Sequence, residues 1–241
     1  MPYTQRFADP ATQALLVNNR ALALGLEDVQ GYNAVHLARF DAYLRELNAG
    51  QTQNYHDGQV FAPGLDSPLL DLMGVRYMLV APDDQSAANV VYSDPHVRVL
   101  ERPSVLPRSW LVHDAQVASA ADALQLIDSG AVDPRETVLL EQDPVDLAAR
   151  YVVFGEMAYP GWTAYVDGQP TPPILADGVV QAVPLPPGDH TVELRFESTT
   201  LRAGVAVSIA SFLGLLVCNA AARTGRRAAR TARATDDTDR A

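Results

Sequence analysis

The chain contains no lysine: all 18 of its basic residues are arginine. Its one cysteine, Cys218, excludes an intrachain disulfide framework and any zinc site built on cysteine pairs. The five histidines, His36, His56, His96, His113 and His190, include no pair three or four residues apart, and no His-Glu-x-x-His run occurs, so a local metal motif is missing. Also missing are a Gly-x-Ser-x-Gly elbow, a glycine-rich phosphate loop and a dinucleotide fingerprint. Nothing in the chain calls for a cofactor. The opening run MPYTQRFADPATQALLVNNR has no uninterrupted apolar core and so does not read as a secretory signal.

What the 241 residues hold in excess is acid, for a net charge of −11. That charge is unevenly placed: residues 1–200 sum to −15 and residues 201–241 to +4. The split implies two regions with different surroundings. A region at −15 repels phosphate, which argues against nucleic acid as a partner.

The charge changes sign across AGVAVSIASFLGLLVCNAAA, a run of 20 residues without a charge between Arg202 and Arg223. As a helix rising about 1.5 Å per residue, such a run reaches about 30 Å, the thickness of a bilayer's hydrocarbon core. Residues 199–223 are therefore expected to form a transmembrane helix, with Cys218 as filler within it. The competing expectation, a buried core helix of a soluble protein, sits poorly with so long a charge-free run between arginines. In the tail 224–241 and at its junction, Arg223, Arg226, Arg227, Arg230 and Arg233 succeed the run with no acid among them. Positive residues beside a span favour the cytoplasmic side, which would place residues 1–200 outside a bacterial plasma membrane. The same arginines suit contact with anionic lipid. Ala206, Ala210 and Gly214 recur every four residues, a spacing that admits a second helix at close range but that an alanine-rich run also supplies by chance. With the lipid bilayer as the first partner, export of residues 1–200 without a signal is most simply met if the chain is the C-terminal part of a longer membrane protein. Upstream transmembrane helices, of the same or a partner chain, are then expected.

Before the span, the pattern predicts an α+β architecture. An N-terminal helical segment (1–58) carries Val35, Leu37, Phe40, Tyr43, Leu44 and Leu47 at helical spacing, ending in a polar loop at 48–58. A small α+β unit (59–150) comes next. In it Ser67-Pro68 is a helix start, VRYMLV (75–80) a strand, VRVLER (97–102) and RSWLVHDAQV (108–117) further strands, AADALQLIDSG (120–130) an amphipathic helix and ETVLLEQ (136–142) a strand. From Tyr151 to 198 the chain reads as an antiparallel β-meander or sandwich, punctuated by Pro160-Gly161, Asp167-Gly168, Asp177-Gly178 and Pro187-Gly188-Asp189. Its last strand alternates: Val192, Leu194 and Phe196 on one face, Thr191, Glu193, Arg195 and Glu197 on the other.

The run AYPGWTAYVDG (158–168), then PLPPGDHTVELRFE (184–197), then a final span resembles the C-terminal portion of YfhO-type bacterial membrane proteins. GYNAVHLARFDAYL (31–44), SPLLDLMGVRYMLV (67–80) and VRVLERPSVLPRSWLV (97–112) fit the same family, so the resemblance covers most of the chain. It implies a large extracytoplasmic region ahead of a closing span, in proteins whose earlier membrane part resembles C-type glycosyltransferases and which are linked to sugar addition from lipid-linked donors. The family's acidic catalytic loop has no counterpart here, and two strands expected before Pro-Gly-Trp are replaced by DPVDLAARY (143–151). No catalytic residue is carried over.

The resemblance implies an envelope glycan as a partner, and Tyr159, Trp162, Tyr165 and Asp167 form the candidate platform for it. Aromatic faces stack on sugar C–H surfaces and a carboxylate accepts from hydroxyls. The alternative is that Trp162 and Tyr165 pack in a sheet while Asp167-Gly168 makes a hairpin turn. His56-Asp57 and His113-Asp114 are adjacent pairs that would face opposite sides of a strand, and Asp83-Asp84 supplies too few oxygens for calcium. Three functional readings stay open: a non-catalytic module of an envelope glycosyltransferase-like protein serving glycan recognition or site shaping, a contributor to an active polyprenyl-phosphate-sugar-dependent transferase, or a stand-alone membrane-tethered binding or assembly protein.

Overall fold

The structure, a computed structural model, describes residues 15, 19–32, 35–51, 57–84, 89–143, 150–216 and 219. His56 and the stretches 1–14 and 144–149 lie outside the described residues, as do Cys218 and the five arginines of the tail. The chain divides into two compact units, one of residues 1–159 and 163–195, the other of residues 160–162 and 196–241.

In the first unit short helices occupy Arg20–Ala23, Ala38–Leu47, Pro68–Leu72 and Ala120–Asp128. The apolar spacing of 38–47 buries Tyr43, Leu44 and Leu47 on one face. The helix at 68–72 starts as its sequence dictates: Pro68 needs no N–H partner, and the Ser67 hydroxyl accepts from the Leu69 N–H at 3.1 Å. Ser119 caps the helix at 120–128 in the same way, accepting from the Asp122 N–H at 3.2 Å. Buried Asn48 pins the chain beyond it. Its amide donates to the Gln59 carbonyl at 2.8 Å and accepts from the Phe61 N–H at 2.7 Å.

The strands are β1 (Gly31–Tyr32), β2 (Asp57–Gly58), β3 (Tyr77–Val80), β4 (Asn89–Ser93), β5 (Arg98–Glu101), β6 (Ser109–Val112) and β7 (Asp114–Val117). They continue as β8 (Thr137–Leu140), β9 (Arg150–Phe154), β10 (Trp162–Val166), β11 (Gln169–Thr171), β12 (Ile174–Ala176), β13 (Val180–Leu185) and β14 (Val192–Phe196). The architecture is α+β, with antiparallel and mixed sheets. β1 pairs with β2, and β3-β5-β4 form a three-stranded antiparallel sheet. A six-stranded sheet runs β6-β9-β13-β12-β8-β7, and β11-β10-β14 make another. The strands after Tyr151 thus divide between two sheets, β9, β12 and β13 joining strands from the middle of the chain.

The segment 108–117, which reads as one strand, is two. β6 and β7 lie at opposite edges of the six-stranded sheet although only His113 separates them. Val112 and Asp114 are two Cα steps apart, at most about 7 Å, whereas six flat strands would span about 24 Å, so the sheet must curl until its two edges meet at that corner. β7 then connects to its parallel neighbour β8 through the helix at 120–128, the crossover that parallel pairing needs. Leu124, Ile127, Val138, Leu139, Leu140, Val153, Val180 and Ala182 form the centre of one core that also takes in Tyr43, Leu47, Leu69 and Leu70 from the helices at 38–47 and 68–72. Burying such a side chain stabilises by about 1.5–3 kcal/mol relative to exposure.

In the second unit, the helix Thr199–Leu216 has none of its length buried and is long and apolar enough to cross a membrane. Ala206, Ala210 and Gly214 lie on it, all exposed. In the same unit the Glu197 N–H donates to the Gly161 carbonyl at 2.6 Å, and the ring of Trp162 meets that of Phe196 edge-on, centroids 5.2 Å apart.

Candidate functional site

The four residues singled out around the Pro-Gly-Trp turn do not converge. Trp162 and Tyr165 are three residues apart on β10, so their rings fall on opposite faces of the strand. Trp162 packs on Phe196, while the Arg195 guanidinium lies 4.6 Å from the centre of the Tyr165 ring. That is a cation–π contact on the face a sugar would use. Tyr159 is exposed. Asp167 sits at φ 49° and Gly168 at φ 79°, the left-handed pair that a two-residue hairpin between β10 and β11 requires. Both carboxylate oxygens of Asp167 are engaged, one by the Thr191 N–H at 2.9 Å and the other by His190 Nδ1 at 2.6 Å. The His190 hydrogen bond, helped by that N–H, holds the Asp167 carboxyl below its usual range, and the same bond raises the His190 imidazole. His113 is exposed at the corner between β6 and β7.

Of the polar groups buried in the first unit, Arg102, Tyr43 and Asp177 are each tied to the fold by hydrogen bonds. Arg102 donates from Nε to Asp71 at 2.8 Å and from its two terminal nitrogens to the Leu65 and Ser67 carbonyls at 2.6 and 3.1 Å. A charge so well paired fixes the approach of β5 to the helix at 68–72. Tyr43 donates to the Leu69 carbonyl at 3.0 Å, and burial pushes its phenol well above the usual range. Asp177, fully buried, accepts from the Leu139 N–H at 2.8 Å through one oxygen, while its other oxygen meets no donor among the described residues. Burial raises its pKa to about 7 against the opposing pull of the Leu139 N–H. Among the described residues no three His, Cys, Asp or Glu side chains gather as metal ligands.

The concavity best suited to a ligand lies elsewhere in the first unit. A cleft of about 900 Å³ runs between the β1–β2 pair and the segment 73–81, with Gln30, Val60, Met73, Met78 and Met157 among its walls. That volume is within the range of small-molecule sites, about 300–1,000 Å³. Three of the chain's four methionines line it, and their unbranched, polarizable side chains adapt to varied apolar surfaces. At one side Arg108 bridges two acids, donating to Glu27 at 2.9 Å and also to Glu156. Gln30 accepts from the Val60 N–H at 2.9 Å, joining two walls. These residues come from separated parts of the chain and share no motif, so no pattern in the sequence announces them. Asp71 did leave a signal, as a lone acid in the apolar run SPLLDLMG.

No protein-family model matches this chain, and no curated protein or solved structure shows significant similarity to it.

Proposed function

We propose that the chain is the extracytoplasmic, membrane-anchored module of a cell-envelope glycosyltransferase-like membrane protein of the YfhO type, non-catalytic in itself, which recognises a glycan acceptor or shapes the acceptor side of the site. Residues 1–200 lie outside a bacterial plasma membrane and the arginine tail lies inside. The reading rests above all on chain order: β14 ends at Phe196 and the apolar helix begins at Thr199, with Pro-Gly-Trp and the final alternating strand ahead of it in the family's sequence. The cleft lined by Gln30, Val60 and the methionines is the recognition site in this reading, since Trp162 and Tyr165 are each engaged by a neighbouring side chain. Its mixed polar and apolar lining suits a saccharide, whose hydroxyls and ring C–H faces it can meet together.

The test is binding of envelope-polysaccharide fragments, the acceptor class, to the full chain in lipid nanodiscs. Val60→Trp, which fills the cleft, is expected to weaken retention by about tenfold, the equivalent of about 1.4 kcal/mol. Wild-type protein that retains no saccharide, or retention indifferent to Val60→Trp in a folded protein, defeats the reading.

A further inference from the structure

The second unit carries an aromatic pair that the alternation of β14 does not explain. Phe196 shares a strand face with Val192 and Leu194, which are half-buried, yet Phe196 itself is 49% exposed. The structure nevertheless holds it in one place. Trp162 meets it edge-on at 5.2 Å with the rings inclined at 65°, and the backbones are tied by the Glu197 N–H to the Gly161 carbonyl at 2.6 Å. Gly161 has φ +117°, and a Cβ there would stand 3.0 Å from the Phe196 ring, so only glycine lets the two segments close. A large apolar ring fixed in place but left half in water is a surface built for something.

The neighbouring helix indicates what covers it. That helix starts three residues after Phe196, at Thr199, and exposes Leu201, Val205 and Ile209 as it goes. Arg202 is the last charge before the 20-residue neutral run, and it reaches back to Glu197 at 3.8 Å. Arginines at the end of a span direct their heads toward water, so the Arg202–Glu197 pair marks the level at which the helix leaves the hydrocarbon. Trp162 and Phe196 belong to the same unit, Phe196 preceding Glu197 in the chain and Trp162 lying against its ring. Tryptophan is enriched at that level, its apolar rings in the acyl boundary and its N–H among the headgroups.

We infer that Pro160-Gly161-Trp162 and Phe196 form a lipid-binding collar, seated in the headgroup layer of the leaflet where the helix enters the bilayer. The collar sets the depth at which the helix enters and brings the start of β10 and the end of β14 to the membrane surface. The occupant is the bilayer itself, and Trp162 contacts lipid, not sugar. The inference rests on the reading of Thr199–Leu216 as a span.

Trp110 and Trp162 are the chain's two tryptophans, so Trp110→Phe leaves Trp162 as the sole indole reporter. The full chain is placed in phosphatidylcholine–phosphatidylglycerol vesicles whose acyl chains carry bromine either near the glycerol or near the chain ends. Bromine near the glycerol is expected to quench Trp162 severalfold more than bromine at the chain ends, and aqueous acrylamide to quench it severalfold less than free indole. The reciprocal Trp162→Phe protein should lose the lipid quenching, and its difference from wild type gives the same answer if Trp110→Phe folds poorly. Protein that floats with the vesicles after an alkaline wash, yet has Trp162 open to acrylamide and untouched by bromine, overturns the collar and leaves the span intact. Protection of Trp162 by added envelope glycan without bromine quenching overturns it in favour of sugar contact. Release of the chain by the alkaline wash removes the span and the collar together.

Discussion

Asp167-Gly168 and Asp177-Gly178 carry one dipeptide and nearly one backbone, with both aspartates at φ 49° and the glycines at φ 79° and 74°. Their surroundings are opposite. Asp167 is exposed and paired with His190, and a Cβ on Gly168 would meet nothing within 4 Å. Asp177 is fully buried, its carboxylate serves the Leu139 N–H in the core, and a Cβ on Gly178 would lie 2.6 Å from Leu124 and 2.7 Å from the Ala120 carbonyl. The first carboxyl is pulled below its ordinary range by a partner, and the second is pushed up to about 7 by burial. One local signal therefore yields a surface turn in one sheet and a core fixture in the other, which says that a turn motif specifies backbone and leaves chemistry to the neighbours.

The sharpest way to break this comparison is to add one methyl to each turn. Gly168→Ala meets only the left-handed backbone and is expected to cost about 1–2 kcal/mol. Gly178→Ala adds a collision with Leu124 and with backbone, for a total of about 3–4 kcal/mol. Denaturant midpoints of the two proteins would show the gap, and equal losses would mean that the core at Leu124 yields freely.

Titration gives the next largest separation. Folded Asp177 keeps its proton up to about pH 7, whereas in the unfolded chain the group ionises near 3.8. Between those values the folded state binds the extra proton, so this group's contribution to stability is complete below about 3.8 and is lost as pH rises to about 7. Asp177→Asn removes that loss: its stability should fall less than wild type's between pH 4 and 8 in urea titrations. A parallel fall in both proteins would place the ionisation elsewhere.

The surface pair should show a smaller effect confined to a window. Asp167 is lowered, so its contribution is present above 3.8 and fades as pH drops through its folded value. His190 is raised, so its contribution is present below 6.5 and fades as pH climbs through its folded value. The pair is complete between those limits, and solvent screening keeps it modest. His190→Gln should lower the melting temperature most near pH 5 and hardly at all at pH 9. An effect independent of pH would assign the residue a packing role alone.

Much of the first unit was legible because its signals are local. The Ser67-Pro68 start, the apolar face of 38–47, the Ser119 cap, the Asp-Gly turns and the alternation in β14 each depend on residues within a few positions. Short strands were not legible. β4, with all five residues exposed, and the three-residue strands β11 and β12 carry too little periodicity to stand out. The break at His113 left no mark either, since a strand that changes edges keeps its alternation on both sides of the corner. The site fared worse than the fold. Gln30, Val60, Met78 and Met157 meet around the cleft from four places in the chain, and Trp162 finds Phe196 across 34 positions. Of the candidate platform, the turn at Asp167-Gly168 and the placing of Trp162 and Tyr165 in a sheet were visible beforehand, but their partners Phe196 and Arg195 were not.

By itself the sequence determined the α+β class, the helix caps, the left-handed turns and an apolar helix long enough to cross a membrane, because propensity, capping and hydrophobic run length act over a few residues or one continuous segment. Tertiary structure alone decided which of two identical turns is buried, how the six-stranded sheet curls to bring its edges together at His113, where the cleft opens, and that Phe196 turns to Trp162 while remaining half in solvent. Those outcomes depend on desolvation and on contacts between residues far apart in the chain, and neither is written in any short stretch of it.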